Sequence, residues 1–449
     1  MQTSPVSPLR QRPHPTLLAL ALAVALCSNH ALAQSDKERI DSLEQKLERS
    51  LQQVQMLLQR VQHLEGHAAQ KPEAVARQPE VATQVNEPEL AAKVNELERE
   101  LIALANRPAE DMGLALHGFV DVGFGLGSKG RPVGGRVGAL DLYLTPKFGD
   151  RTKALFELVF EVNSAGETVV DVERLQIGYT FADELTLWLG RFHTPFGNWN
   201  TAFHHGAQLQ TPITRPTFLE FEDARGILPS HSVGLWGRGA LRVTGGRWIY
   251  DAYVANAPTI DVADPASPAT GVLNPGLNGA GNRAPSVGGN VGYAFKGGRL
   301  GGLAVGAHAI TAKVADKASS PNETRLLVLG GWLSYTQDDW EVSGEYYRFR
   351  NRDLSGASGK HASTAGFLQV GRTFGTITPF ARYERTALDQ SDNYFAQMES
   401  GQSYRRTMMG VRYDLNSTTA LKVEANRTSL TDRATSSYSE LRTQWAVRF

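Results

Sequence analysis

A single cysteine, Cys27, stands in 449 residues, so the chain can form no internal disulfide. It lies inside a segment read below as cleaved, which also leaves the mature protein without a thiolate metal ligand or a cysteine nucleophile. After residue 33 nothing approaches twenty consecutive apolar residues, and that excludes a membrane-spanning helix beyond this point. An excess of either charge is missing too. The 46 Lys and Arg balance 46 Asp and Glu, which argues against a nucleic-acid partner. No Gly-x-Ser-x-Gly turn and no grouping of Ser, His and acid at strand ends is present, so the chain is not read as an enzyme and no cofactor is called for.

What is there begins with an export signal over residues 1–33. Arg10, Arg12 and His14 precede an apolar run from Leu17 to Leu26, and Ala31 and Ala33 supply the small residues of a cleavage site. Bulky Leu26 before Cys27 argues against lipid attachment there. Residues 34–66 read as a coiled coil: Ile40, Leu47, Val54 and Val61 recur every seventh position, with Leu43, Leu57 and Leu64 at the second core position and Ser50 its polar member. A Pro, Ala, Gln and Glu rich linker occupies 67–88, and a short helix over 89–107 carries Leu90, Val94, Leu97, Leu101 and Leu104 on one face. These helices form either a periplasmic stalk or a cover folded back on the remainder.

From 113 to 449 the texture changes to alternating stretches, and sixteen candidate strands of about nine to thirteen residues can be placed. Connections alternate between tight ones, such as Gly149-Asp150 and Gly245-Gly246, and long ones, such as 198–231, 258–286 and 386–403. An up-and-down barrel needs that asymmetry; a soluble sandwich does not. One parity is apolar: Ala154, Phe156, Leu158 and Phe160 alternate with Lys153, Glu157 and Glu161, and Leu421, Val423 and Ala425 with Lys422, Glu424 and Asn426. Phe148, Tyr179, Phe181, Trp340, Phe374, Tyr413 and Phe449 gather beside the tight turns, where an aromatic girdle belongs. The expected fold is all-β, a 16-stranded antiparallel transmembrane barrel behind an α-helical coiled-coil segment.

The final strand, Leu441 to Phe449, resembles the closing strand of bacterial outer-membrane barrels, whose terminal Phe is read by the barrel assembly machinery. The stretch Leu189-Gly190-Arg191-Phe192-His193-Thr194-Pro195-Phe196-Gly197, with Thr378 to Glu384, Gly410 to Asp414 and Ala420 to Glu424, resembles the sixteen-stranded trimeric porins, nearest their phosphate-selective group. The resemblance implies an outer-membrane homotrimer in contact with lipid, and a third outward loop, residues 198–231, folded into the lumen. Glu220, Glu222, Asp223 and Arg225 on that loop would then meet wall arginines across a constriction; otherwise they decorate a surface loop.

Arg174, Arg382, Arg412, Arg442 and Arg448 share the inward parity with Lys422, Glu384 and Glu424. They form either a pore-lining ladder for phosphate or carboxylate groups or paired networks that stiffen the wall. The region carries 26 Arg and 8 Lys against 17 Asp and 14 Glu, too small a surplus to make the lumen an evident anion trap. His193, His204, His205 and His231 lack the spacing of a known metal site. The function expected is passive diffusion of small hydrophilic solutes or ions through a porin, with the stalk contacting peptidoglycan or fixing the trimer. The alternative is a structural tether or adhesin in which the barrel only anchors.

Overall fold

The computed structural model describes residues 116–449 other than 129–130, 132, 163–165, 204–205, 223–225, 262–270, 277–283, 317–321, 357–358, 399 and 432–436. The signal, coiled-coil, linker and short-helix segments expected upstream lie outside the described residues, as do His204, His205, Asp223 and Arg225.

Sixteen long strands follow one another, each antiparallel to the next. They are β1 (Leu116–Gly127), β2 (Gly134–Leu144), β3 (Thr152–Val162), β4 (Thr168–Ala182), β5 (Leu185–His193), β6 (His231–Val243), β7 (Gly246–Ala255) and β8 (Ser286–Phe295) in the first half. The second half holds β9 (Leu303–Asp316), β10 (Glu323–Gln337), β11 (Trp340–Asp353), β12 (Lys360–Arg372), β13 (Ile377–Ala387), β14 (Tyr404–Asn416), β15 (Thr419–Leu430) and β16 (Ser437–Arg448). β1 pairs with β16 from Phe119 opposite Arg448 to Gly127 opposite Glu440, so the sheet closes on itself and leaves no free edge.

The period-two pattern explains the wall. Along β13, Ile377, Pro379, Ala381, Tyr383 and Arg385 are exposed while Thr378, Phe380, Arg382 and Glu384 are buried. The outer face is apolar over most of its height; Leu189 is 64% exposed and Met409 68%. So large an apolar surface needs a hydrocarbon solvent to cover it. All seven aromatics expected at the girdle are exposed at the tight-turn ends, and Trp248, stacked edge-on to Tyr293 at 4.9 Å, joins them. Those turns are short for a backbone reason: between β10 and β11, Asp338 and Asp339 both take left-handed φ, 53° and 65°, the two-residue geometry that matches strand twist.

Several strand ends shift by a few residues from the sequence reading, and two of the shifts shape the interior. β5 stops at His193 instead of Gly197, because Pro195 lacks the donor a ladder needs and Gly197 turns with φ +58°. β9, expected over 300–310, runs on to Asp316, since Ala312 and Val314 bury inward against protein. That burial also departs from a uniformly polar interior. Ile310, Val314, Leu326, Val328, Tyr347 and Phe349 on β9 to β11 face inward and are apolar.

The seam is sealed by the final residue. Gly118 N–H donates to the Phe449 carbonyl at 3.0 Å and Phe449 N–H returns to Gly118 O at 3.1 Å. A Cβ on Gly118 would stand 2.6 Å from the Phe449 ring and 2.5 Å from the Asp141 carbonyl oxygen. Gly118→Val is therefore expected to destabilise the closed barrel by roughly 1–3 kcal/mol through forced displacement of that ring. The readout is the temperature at which the folded band converts to the unfolded one in a heat-modifiability gel, which should fall; an unchanged transition would show that the ring has room to move.

Candidate functional site

The chain leaves the sheet after β5 and crosses the interior. Its first turn, Thr194 to Gly197, is met by side chains from β8 and β9: Gly197 N–H donates to His308 Nδ1 at 3.1 Å, and Asn290 Nδ2 donates to the Gly197 carbonyl at 2.8 Å. Glu345 on β11 accepts from the Asn198 and Trp199 amides at 2.7 and 2.5 Å, satisfying donors at the start of the one-turn helix Trp199–Ala202. A Cβ at Gly197 would collide with Glu345 and Tyr347, so both space and φ require glycine there.

Further along, the wall holds the loop by its backbone. Lys422 Nζ donates to the carbonyls of Ala207, Gln210 (2.6 Å) and Pro212 (3.1 Å). Arg412 reaches Gln208 O at 2.5 Å and Gln210 O at 3.1 Å, and Arg382 reaches Thr214 O at 2.8 Å and Arg215 O at 2.9 Å. In the other polarity Glu424 accepts from the amides of Ile213 and Thr214 and from the Thr214 hydroxyl, at 2.9, 3.1 and 2.7 Å. Glu384 accepts from the Thr217 amide at 2.8 Å and from the Tyr404 hydroxyl at 3.0 Å. Charge-assisted bonds of this kind contribute about 1.5–3 kcal/mol each.

Apolar side chains fix the loop's other face. Phe196, Trp199, Phe218, Leu219, Ile227 and Leu228 are at most 1% exposed and pack on the inner wall of β9 to β12. A second inward loop, 388–403, locks this core. Asp392 caps the short helix Asn393–Ala396 through the Tyr394 amide at 3.0 Å, and the Tyr394 hydroxyl donates to Ile227 O at 2.8 Å. Asp389 beside it accepts from Ser391 and is bonded to His361 at 2.8 Å, which holds its carboxyl down to about 2.

Beside the packed loops lie two adjoining spaces, about 290 and 530 Å³, both bordered by Thr214, Glu220 and Arg442. Arg136 and Gln444 border the first, Arg131, Arg406 and Glu440 the second. Arg442 pairs with Glu440 at 3.0 Å, and Arg406 donates to the Thr217 hydroxyl at 2.6 Å. Glu220 on the loop looks toward these wall arginines. Burial pushes its carboxyl above the ordinary range, against the pull of Arg215, Arg406 and Arg442. Arg215, stacked 4.1 Å over the Phe221 ring, is pushed down by burial and held up by Glu220 and Glu222.

The residues singled out in the sequence thus divide. Arg382, Glu384, Arg412, Lys422 and Glu424 are on the inner face but face the loop, not open water, so they do not form a free ladder. Arg174 pairs with Glu157 on the neighbouring strand. Arg448 is exposed near the tight-turn end of β16, away from the two spaces. Arg442 and Glu220 alone among them border both openings. Glu222 turns away to His231, bonding its Nδ1 at 2.8 Å and its amide at 2.7 Å. His193 sits 3.5 Å from Glu157, and among the described residues no group of His, Cys, Asp or Glu is placed to hold a metal ion. Arg131, Arg136 and Arg406 were missed. Arg406 had the inward parity as its signal; Arg131 lies in a connection, where parity says nothing.

No family model and no curated protein sequence matches the chain. Among solved structures it is similar to the anion-selective porin from Comamonas acidovorans, with 17% identity and a TM-score of 0.51 over 75% of this chain and 99% of that one. It is also similar to OmpF of Salmonella typhi, at 13% identity, TM-score 0.49, 74% of this chain and 97% of that. The outer membrane channel DcaP of Acinetobacter baumannii gives 10%, 0.49, 74% and 96%. The first of these likenesses places the fold among the porin barrels.

Removing one wall anchor should free the loop. Arg382→Ala leaves two loop carbonyls and Glu384 without their partner, a loss of about 3–5 kcal/mol for a broken buried ion pair. Chymotrypsin should then cut folded protein after Phe218, a bond inaccessible in the wild type, and equal resistance of the two proteins would refute the pinning.

Proposed function

We propose that the protein is an outer-membrane porin, a water-filled channel for passive diffusion of small hydrophilic solutes or ions, with preference for anions. One observation carries the reading: the loop from β5 is fixed across the barrel so that Glu220 faces Arg406 and Arg442 beside an open lane. Opposed charges in a narrow aqueous passage filter by size and charge without a covalent step. The wall side of the lane offers Arg131, Arg136, Arg406 and Arg442 against Asp121, Glu161 and Glu440, and the guanidinium fork suits phosphate and carboxylate groups.

The assembly reading is a homotrimer. What supports it is an uncharged outer face on the first strands, where Leu126, Val137, Val170, Val172 and Ile177 are exposed and where a second copy would find apolar cover. An even number of strands returns both ends of the barrel to the tight-turn side, which suits a periplasmic coiled coil over 34–66 contacting peptidoglycan or the trimer axis. The half-exposed ring of Phe449 suits recognition by the assembly machinery.

Selectivity should follow the charges on the lane. A unit charge about 7 Å from an ion's path in a water-like medium is worth about 0.6 kcal/mol, roughly threefold in permeability ratio. Reversal potentials in a salt gradient should therefore move toward cations by about that factor in Arg442→Gln and toward anions in Glu220→Gln. Because the Glu220 carboxyl sits above its ordinary range, it takes up its proton earlier as pH falls. Anion preference should then rise on acidification in the wild type and stay flat in Glu220→Gln. Steady conductance in triplet steps supports a trimeric channel; a silent bilayer would favour the tether reading.

A further inference from the structure

Toward the tight-turn side, the inner wall of β3 to β6 borders a third space, about 290 Å³, that neither the lane nor the loop core accounts for. Lys153, just after the turn that opens β3, flanks it on one side, and Arg238, opposite Thr186 near the start of β5, on the other. Thr201, on the one-turn helix of the inward loop, also borders it, so the space lies between the loop and the turns. Parity brings the wall residues there. Arg174 and Gln176 on β4 alternate with Leu175 and Ile177, which are exposed on the outer face, and Trp188 on β5 alternates with exposed Leu189.

Two indoles form the apolar part of this lining. Trp188 stands directly opposite Trp236 in the register, with ring centroids 6.3 Å apart and planes 26° from parallel. On the β4 side Trp188 lies over Gly178, where a Cβ would come within 2.8 Å of three of its ring carbons. The missing side chain lets the indole lie down along the wall and present a face to the interior. The charges nearby almost cancel. Arg174 pairs with Glu157, and Arg238 lies 3.7 Å from Asp251, whose carboxylate also accepts from Trp236 Nε1 at 3.0 Å. Among the described residues Lys153 has no ion-pair partner, so three cations and two carboxylates leave one positive charge. One buried acceptor is also unmatched: Gln176 is 4% exposed, and its Oε1 accepts from no donor among the described residues.

We propose that this space binds a sugar acid, a single hydroxylated ring bearing one carboxylate. The carboxylate meets Lys153, a ring hydroxyl donates to Gln176 Oε1, and the C–H face of the ring covers the Trp188 indole. Other solutes leave one of these groups unanswered. A neutral sugar brings no counter-charge for Lys153, and an aromatic acid brings no hydrogen for Gln176. A phosphate ester carries nearly two charges where the site supplies one. The volume lies at the lower end of the range of small-molecule clefts, which suits one ring and excludes an oligosaccharide. The inference rests on the barrel fold and not on conduction through the lane.

The test titrates full-length protein in an uncharged detergent with glucuronate, read by saturation-transfer NMR on the sugar protons. Glucuronate should bind at least about tenfold more tightly than glucose, which lacks the charge, and than benzoate, which lacks the hydroxyls. Lys153→Gln should bring glucuronate down to the level of glucose. Gln176→Leu should weaken glucuronate by about tenfold and leave benzoate unchanged. If Gln176→Leu fails the heat-modifiability check for folding, Trp188→Leu replaces it with the same expectation for glucuronate. Glucose or benzoate binding as tightly as glucuronate, or glucuronate binding to folded Lys153→Gln within about twofold of wild type, would overturn the proposal. Conductance recorded on the same samples separates the two readings: a silent bilayer with glucuronate bound removes the channel and leaves the site, and a conducting pore that binds the three probes alike removes the site alone.

Discussion

An irregular length of backbone drawn through the inside of a sheet cylinder has no ladder to join, and its peptide groups must be satisfied by whatever the wall supplies. In this protein the wall supplies side chains of both signs. Lys422, Arg412 and Arg382 take carbonyls between Ala207 and Arg215, and Glu424, Glu384 and Glu345 take amides between Asn198 and Thr217. Much else depends on that arrangement. It sets where the loop runs, which half of the interior is filled, and which charges remain in contact with water.

The filled half is built like a small globular core. Trp199 meets Phe367 edge to face at 5.5 Å, Phe218 lies tilted against the same ring at 6.4 Å, and the inner face of β9 to β12 is apolar to receive them. The empty half keeps its polar lining. A single cylinder thus holds two environments side by side, a dry one that carries the loop's rigidity and a wet one where Glu220 meets Arg406 and Arg442.

Much of the wall was legible in the sequence because one rule, alternation with period two, acts on every strand, and because tight and long connections take turns. Residues such as Leu421 and Lys422 were assigned to opposite faces by that rule alone, and the structure separates them so. The rule is silent on what an inward side chain meets. Lys422 reads the same whether it faces water or a neighbouring carbonyl, and Glu345 and His308 gave no sign that they would hold a turn arriving from six and four strands away. The early end of β5 was marked by Pro195 and Gly197, but the apolar character of Phe192 and Phe196 concealed it. Inward apolar side chains such as Ile310 and Val314 are accounted for only by the loop core they pack against, which alternation alone does not reveal.

The β1 to β16 seam has a kinetic side. Gln444 bonds to Asp121 at 2.9 Å across 323 positions of sequence, so the ladder that closes the cylinder has the largest loop to close and by that entropy is expected last. Until then the sheet exposes two bare edges, each able to template pairing with another chain. A nascent barrel of this design is therefore most prone to aggregate in its final step, and whatever escorts it has to shield β1 for as long as β16 is still unplaced.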